Sequence, residues 1–127
     1  MKRALILIIT LTVFTFGSGW LLDGMQQRTA MRYLSGLYHI RQLVLADDLE
    51  AAASEQAYLH ACWQKDAHWM NGLLDHHHTR DVESALRHVA TALDEKSRLH
   101  SLLALDEVID ALEEVAQRDM AVIENIL

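Results

Sequence analysis

Metal or acid–base chemistry in this chain would fall first on Asp75-His76-His77-His78, with Asp81 close behind. Imidazole and carboxylate ligate zinc, nickel or copper, and a site needs three or four such groups within about 2.0 to 2.2 Å of one ion. Consecutive residues in a loop rarely converge on a point. The spacing that converges on a helix, His-x-x-x-His, is absent: His60, His68 and His76 stand eight residues apart, an interval that turns a helical side chain by about 80°. The run therefore reads as a solvated polar turn, with Asp75, His76, His77 and His78 as candidate metal ligands. Histidine changes charge near neutral pH, so a response to acidification is a second reading of the same turn.

The other reactive residue types are sparser. Cys62 is the single cysteine, which rules out an internal disulfide, and no motif around it marks a nucleophile. Trp63 and Trp69, six residues apart, leave a helix on different faces. Trp63 continues an apolar stripe, whereas Trp69 does not and is the candidate partner contact, since tryptophan is enriched at binding hot spots. Asp106, Glu107, Asp110, Glu113 and Glu114 cluster late in the chain and read as a solvated acidic face, without the oxygen-ligand loop of a calcium site. There is no glycine-rich phosphate loop, serine elbow or catalytic carboxylate pair. No enzymatic activity and no cofactor are expected.

The element that must position everything else is residues 4–22, nineteen residues without a formal charge behind Met1-Lys2-Arg3. As a helix this segment is roughly 28 Å long, close to the ~30 Å hydrocarbon core of a bilayer. Eleven of its residues are Leu, Ile, Val or Phe; each favours insertion by roughly 0.3 to 0.6 kcal/mol near the centre of a span. Thr10, Thr12 and Thr15 can return their hydroxyls to carbonyls one turn back. A removable secretory signal has the same basic start and apolar run, with Gly17-Ser18-Gly19 as its cleavage site, and would release a secreted helical domain. Against cleavage, the apolar run resumes as Trp20-Leu21-Leu22, which suits an interfacial tryptophan on a retained anchor. Lys2 and Arg3 on one flank and Asp23 on the other favour a cytoplasmic N-terminus, a bias reduced by Arg28 and Arg32.

Residues 23–127 form the second unit, enough for one domain with a modest core. The chain has no proline and five glycines, so an all-α domain is expected. This part carries nine Lys and Arg against eighteen Asp and Glu, a net charge of −9, which disfavours nucleic acid and anionic lipid as partners. Apolar periodicity predicts helices over about 25–45, 48–72, 79–93 and 97–118, the last with a possible extension to 125. The first runs on from the span, with Met31, Leu34, Leu37, Tyr38, Val44 and Leu45 at helical spacing. Asp47 or Asp48 caps the second, whose stripe is Leu49, Ala52, Ala53, Leu59, Trp63, Met70 and Leu74, with Glu55, Lys65 and Asp66 facing water. Thr79 or Asp81 caps the third, with Val82, Ala85, Leu86, Val89 and Leu93 inward. The fourth is apolar on two adjacent stripes, from Leu99, Leu102 and Leu103 through Val115, and so expects two neighbours. Short connections make these either an antiparallel four-helix bundle or two stacked helical hairpins.

Taken together, the basic start, the span ending in Trp20, the spaced Trp63 and Trp69, the turn at Asp75, Val82-Glu83-Ser84-Ala85-Leu86 and the terminal Glu124-Asn125-Ile126-Leu127 carry a resemblance across nearly the whole chain. It resembles domain of unknown function 4363, short single-span bacterial membrane proteins found chiefly in Firmicutes. Members usually carry an Asn-His turn followed by acidic residues where this chain has Asp75-His76-His77-His78-Thr79-Arg80. The resemblance implies a membrane-anchored helical domain and brings no activity with it. The resulting expectation is an accessory or scaffold protein of the bacterial cell envelope. It touches membrane lipid through residues 4–22 and a protein partner through its domain. It crosses the cell membrane once, with the N-terminus cytoplasmic and the domain extracytoplasmic.

Overall fold

A computed structural model describes the backbone of residues 1–70 and 76–126, and the side chains of these except at 22, 23, 26, 27, 69, 70, 76–78 and 118–126. Four helices account for nearly all of it: α1 (Lys2–Leu45), α2 (Leu49–Met70), α3 (His76–Asp94) and α4 (Arg98–Ile126). They form an antiparallel bundle in a closed ring, α1 on α2, α2 on α3, α3 on α4 and α4 back on α1. Of the two expected architectures, the ring makes this the up-and-down bundle.

The core follows a seven-residue rhythm on every helix. Buried or half-buried residues alternate at intervals of three and four: Ala30, Tyr33, Leu37, Ile40 and Val44 on α1, and Ala52, Gln56, Leu59, Trp63 and Asp66 on α2. On α3 the seam is Thr79, Val82, Leu86, Val89 and Leu93, and on α4 it is Ser101, Leu105, Val108, Leu112 and Val115. This 3.5-residue period is the one that keeps helices facing each other at shallow crossing angles. Leu37, Val44, Val89, Leu105 and Val108 are wholly enclosed, each contributing about 1.5–3 kcal/mol by leaving water.

α1 does two jobs without a break. Its first half, Lys2–Leu21, is long and apolar enough to cross a membrane and has no buried residue; its second half supplies a full quarter of the bundle core. Thr10, Thr12 and Thr15 donate their hydroxyls to the carbonyls of Ile6, Ile8 and Leu11 at 2.7–2.8 Å, so those hydroxyls are paired without water. The helix runs on through Gly24 without a break in its assignment.

The α1–α2 and α3–α4 turns are built alike. The amides of Asp47 and Asp48 donate to the carbonyls of Val44 and Leu43, and those of Lys96 and Ser97 to Leu93 and Ala92, all at 2.9–3.1 Å. Each pair closes a helix by bonds reaching back three and five residues. The residue after each closure caps the next helix: Asp48 Oδ1 accepts from the Ala51 amide at 3.3 Å, and Ser97 Oγ from the His100 amide at 3.2 Å. Arg98 ties the two turns together, donating from Nε to the Val44 carbonyl at 3.3 Å and from Nη2 to Leu45 at 3.0 Å. There its charge also meets the negative end of α1.

Both closures place a residue with a side chain in left-handed backbone, Asp47 at φ 62° and Lys96 at φ 56°. The left-handed region costs a residue with Cβ about 1–2 kcal/mol, and glycine gives back about half of that through its freer unfolded chain. Lys96→Gly and Asp47→Gly are therefore each expected to stabilise the bundle by roughly 0.5–1 kcal/mol, read as a rise in urea midpoint. A fall in midpoint for both would contradict the geometry.

Several expectations are corrected. α3 begins at His76, so His76, His77 and His78 open a helix instead of sitting in a loop, and Thr79 is a buried seam residue instead of a cap. Met31, Tyr38, Leu45, Leu99 and Leu103 are exposed, because the inner seam takes one stripe per helix and these residues stand beyond it. Asp66, expected to face water, is half-buried. Leu74 lies outside the described residues, as does the side chain of Met70.

Candidate functional site

Polar side chains gather where α2 meets α3, at the end of the bundle away from the two turns. Trp63 and Ala67 on α2 and Thr79, Arg80, Glu83, Ser84 and Arg87 on α3 line an open groove of about 490 Å³. The small side chains of Ala67 and Ser84 leave the space. Glu83 is engaged twice, with Oε1 lying 2.8 Å from His60 Nε2 and 3.5 Å from Arg87 Nε. The His60 and Glu83 side chains are only 17% and 22% exposed, which makes this the best shielded basic–acidic contact among the described residues, and it ties α2 to α3. Gln56, buried one turn away, donates Nε2–H to the Leu86 carbonyl at 3.0 Å.

On the other side of Trp63 stands Tyr33 of α1. Their rings meet edge to face at 5.3 Å and 83°, the arrangement the ring quadrupoles favour. The Tyr33 hydroxyl donates to Asp66 Oδ2, which Arg32 Nη2 also approaches at 3.5 Å. Trp63 Nε1, enclosed, has no acceptor among the described residues. Burial, and then the bond to Asp66, push the Tyr33 hydroxyl well above the usual tyrosine value of 10.0.

That shift has a sign. The unfolded chain loses the Tyr33 proton near the ordinary value while the folded chain holds it, so the contribution is complete below about pH 10 and is lost as pH rises toward the folded value. The thermal midpoint should hold up to about pH 9 and fall toward about pH 11, with Tyr33→Phe flattening the fall. An equal alkaline slope in wild type and Tyr33→Phe would remove Tyr33 as its source.

Three of the acidic residues of α4 reach neighbouring helices. Asp106 Oδ1 lies 3.1 Å from Arg41 Nε, Glu113 Oε1 accepts from the Tyr38 hydroxyl at 2.7 Å, and Glu107 Oε2 is 3.6 Å from His88 Nδ1. The bond to Glu113 raises the Tyr38 hydroxyl above its ordinary value. What reads as a solvated acidic face straddles both of α4's neighbours.

Of the residues singled out from sequence, Trp63 lies in the core at the groove. Cys62 is half-buried with its thiol free. Asp75 and the side chains of Trp69, His76, His77 and His78 lie outside the described residues. Among the described residues, no group of three or more His, Cys, Asp or Glu is placed to hold a metal ion. His60 and the groove residues Arg80, Glu83 and Arg87 were not predicted: His60 meets Glu83 from another helix, 23 residues away, although Glu83 and Arg87 do stand at the i, i+4 spacing of one helix. One signal was available: Gln56 and Asp66 interrupt the otherwise apolar seven-residue seam of α2, and polar seam positions need partners from the facing helices.

A family match covers the bundle, the polar groove and the second half of α1: residues 25–126 match the family described as Domain of unknown function (DUF4363). The chain belongs to this family. No curated protein and no solved structure matches it. The DUF4363 match begins at residue 25, just past the apolar half of α1, so the family unit is the four-helix bundle. In this DUF4363 protein the apolar stretch long enough to cross a membrane and the bundle share one helix.

Proposed function

We propose that this chain is a membrane-anchored accessory or scaffold protein of the bacterial cell envelope, with its N-terminus in the cytoplasm and its bundle outside, working through contacts with other proteins. The observation that carries the reading is α1: its exposed apolar half and its bundle-core half are one uninterrupted helix. Eight residues, a rise of nine helical steps, separate the end of the apolar stretch at Leu21 from the first core residue, Ala30. As helix they hold the bundle about 13 Å from the hydrocarbon edge. A flexible linker would let the domain sample many orientations. A rigid one presents the same faces at the same height to any neighbour in the membrane, which lowers the ordering cost of docking.

The polar chemistry on the page supports the same reading. His60, Glu83, Asp66, Asp106 and Glu113 are each engaged in a contact between helices, where they hold the bundle together. The test is proximity crosslinking in native membranes followed by mass spectrometry, comparing the full chain with residues 1–24 fused to an unrelated helical domain. A protein neighbour recovered with the full chain and lost with the fusion is expected. The same neighbours for both would show that the bundle recruits nothing, and would overturn the proposal.

A further inference from the structure

The α2–α3 groove holds a cation that the bundle does not use. Arg80 and Arg87 both line it and are both exposed, two turns apart on α3 with about 10 Å of helix between them. Arg87 is matched by Glu83 at 3.5 Å. Arg80 is not: its guanidinium has no ion-pair or hydrogen-bond partner among the described residues. On the α2 side of the same groove is Trp63, 2% exposed, with Nε1–H shut from water and without an acceptor. An enclosed donor left unpaired is uncommon, because it keeps the full cost of leaving water. Two unused donors, one charged and one buried, therefore share a groove whose single carboxylate, Glu83, is already held by His60 and Arg87. The groove is short of acceptors.

We infer that this groove recognises a carboxylate carried by a segment of a partner protein, an Asp or Glu side chain or a chain terminus, with Arg80 as the fork that grips it. The inference rests on the scaffold reading and names the chemistry of its contact. Charge selects the carboxylate. Two arginines and one glutamate leave the groove a single positive charge, in a domain whose net charge is −9. One carboxylate cancels that charge, whereas a phosphate dianion would set a surplus negative charge beside Glu83. The planar guanidinium meets a carboxylate through two parallel N–H bonds, and the Ser84 hydroxyl in the same wall adds a neutral donor. The Trp63 N–H comes within reach once the side chains over it change rotamer, as interface side chains commonly do on binding.

Height argues for a protein segment over the lipid of the same membrane. Trp63 packs on Tyr33, twelve helical steps beyond Leu21, so this end of the groove stands about 18 Å from the hydrocarbon edge. The headgroup layer is only about 5–7 Å thick, too far below for an arginine side chain to reach. Size argues against a small free anion. A single ion pair at an open site contributes little by itself, and a protein segment adds the burial of its own apolar atoms against Trp63 and Ala67.

Photocrosslinking of the full chain in native membranes tests this. Benzoylphenylalanine replaces Gln64, exposed on α2 one turn before Ala67, or, as a control, Tyr58, which is 72% exposed and does not line the groove. Adducts from position 64 should carry a protein segment with Asp or Glu within about five residues of the attachment point, the reach of an extended chain along the groove. Arg80→Gln should lower their yield about tenfold, and Arg80→Lys, which keeps the charge and loses the fork, about threefold. Arg80 is exposed, so helical circular dichroism and thermal midpoint should match the wild type in both variants. Adducts indifferent to Arg80→Gln, or attached to segments without acidic residues, would overturn the carboxylate site. Adducts to phospholipid alone would overturn it in favour of headgroups, and protein adducts from position 58 in place of 64 would move the contact to another face. The last three results leave the anchored scaffold standing only where a protein adduct is recovered; none at either position would overturn both.

Discussion

Leu37→Ala should lower the stability of the bundle by about 2–5 kcal/mol, the cost of deleting a fully enclosed leucine and leaving part of its volume empty. Leu37 has no exposed surface and sits midway along the α1 seam, so the helices packed on α1, α2 and α4, would have to shift to refill the space. At about 4–8 °C per kcal/mol for a domain this small, the thermal midpoint in mild detergent should fall by at least about 10 °C. Leu103→Ala removes a similar volume from a side chain that is 59% exposed and should change stability by less than about 0.5 kcal/mol. Equal effects from the two substitutions would mean that the seam assignment on α1 or α4 is wrong.

The second large effect acts on the apolar half of α1 and follows from the proposed anchoring. Ile9→Arg with Val13→Arg puts two charges near the middle of the span, each opposing insertion by about 2.5–3.5 kcal/mol. Together they outweigh most of what the eleven large apolar residues of the span supply. Ile9 and Val13 are exposed and lie within Lys2–Leu21, where no residue is buried. The double variant should move from the carbonate-resistant membrane fraction to the supernatant while keeping the helical circular dichroism of the bundle and, with Trp20→Phe and Trp69→Phe in the background, the emission of the enclosed Trp63. Retention in membranes would show that something other than the apolar rod holds the protein there. Loss of folded signal would show that bundle and span are energetically one unit.

The two variants separate functions that α1 performs with different residues of one helix. In its first half the outward side chains matter and there is no inside. In its second half the inward seam at Ala30, Tyr33, Leu37, Ile40 and Val44 matters for folding, while Met31, Tyr38 and Leu45 stand outside it. A helix joins these tasks stiffly because every peptide unit is bonded to the next turn. The Arg98 clamp on the Val44 and Leu45 carbonyls then anchors the far end of that rod to α4.

Much of this was legible without coordinates. Helix class, an apolar helix long enough to cross a membrane, and the two turns around residues 46 and 95 follow from local causes: unbroken helix formers, a charge-free run of membrane length, and short polar breaks at Asp47-Asp48 and at residues 94–97. The inward faces of α3 and α4 were readable because Val82, Leu86, Val89 and Leu93, and Leu105, Val108 and Leu112, recur at the helical period. Helical spacing alone, however, places Met31, Tyr38 and Leu45 as credibly inside as Leu37, since each lies within one turn of a true seam residue.

Only tertiary structure decided between them. A helix with apolar residues on two sides has two candidate inward faces, and the choice belongs to its neighbours, here the ring order that sets α2 and α4 beside α1. The same holds for the polar contacts. His60 with Glu83, Tyr33 with Asp66 and Arg41 with Asp106 are separated by 23, 33 and 65 residues, distances along the chain over which sequence spacing carries no geometric information. By itself the sequence determined that this chain is helical, where it breaks, and that its first half suits lipid. Packing decided which apolar faces were used up inside and which one was left over along α1, because burial depends on what each helix meets and local period records only what it could offer.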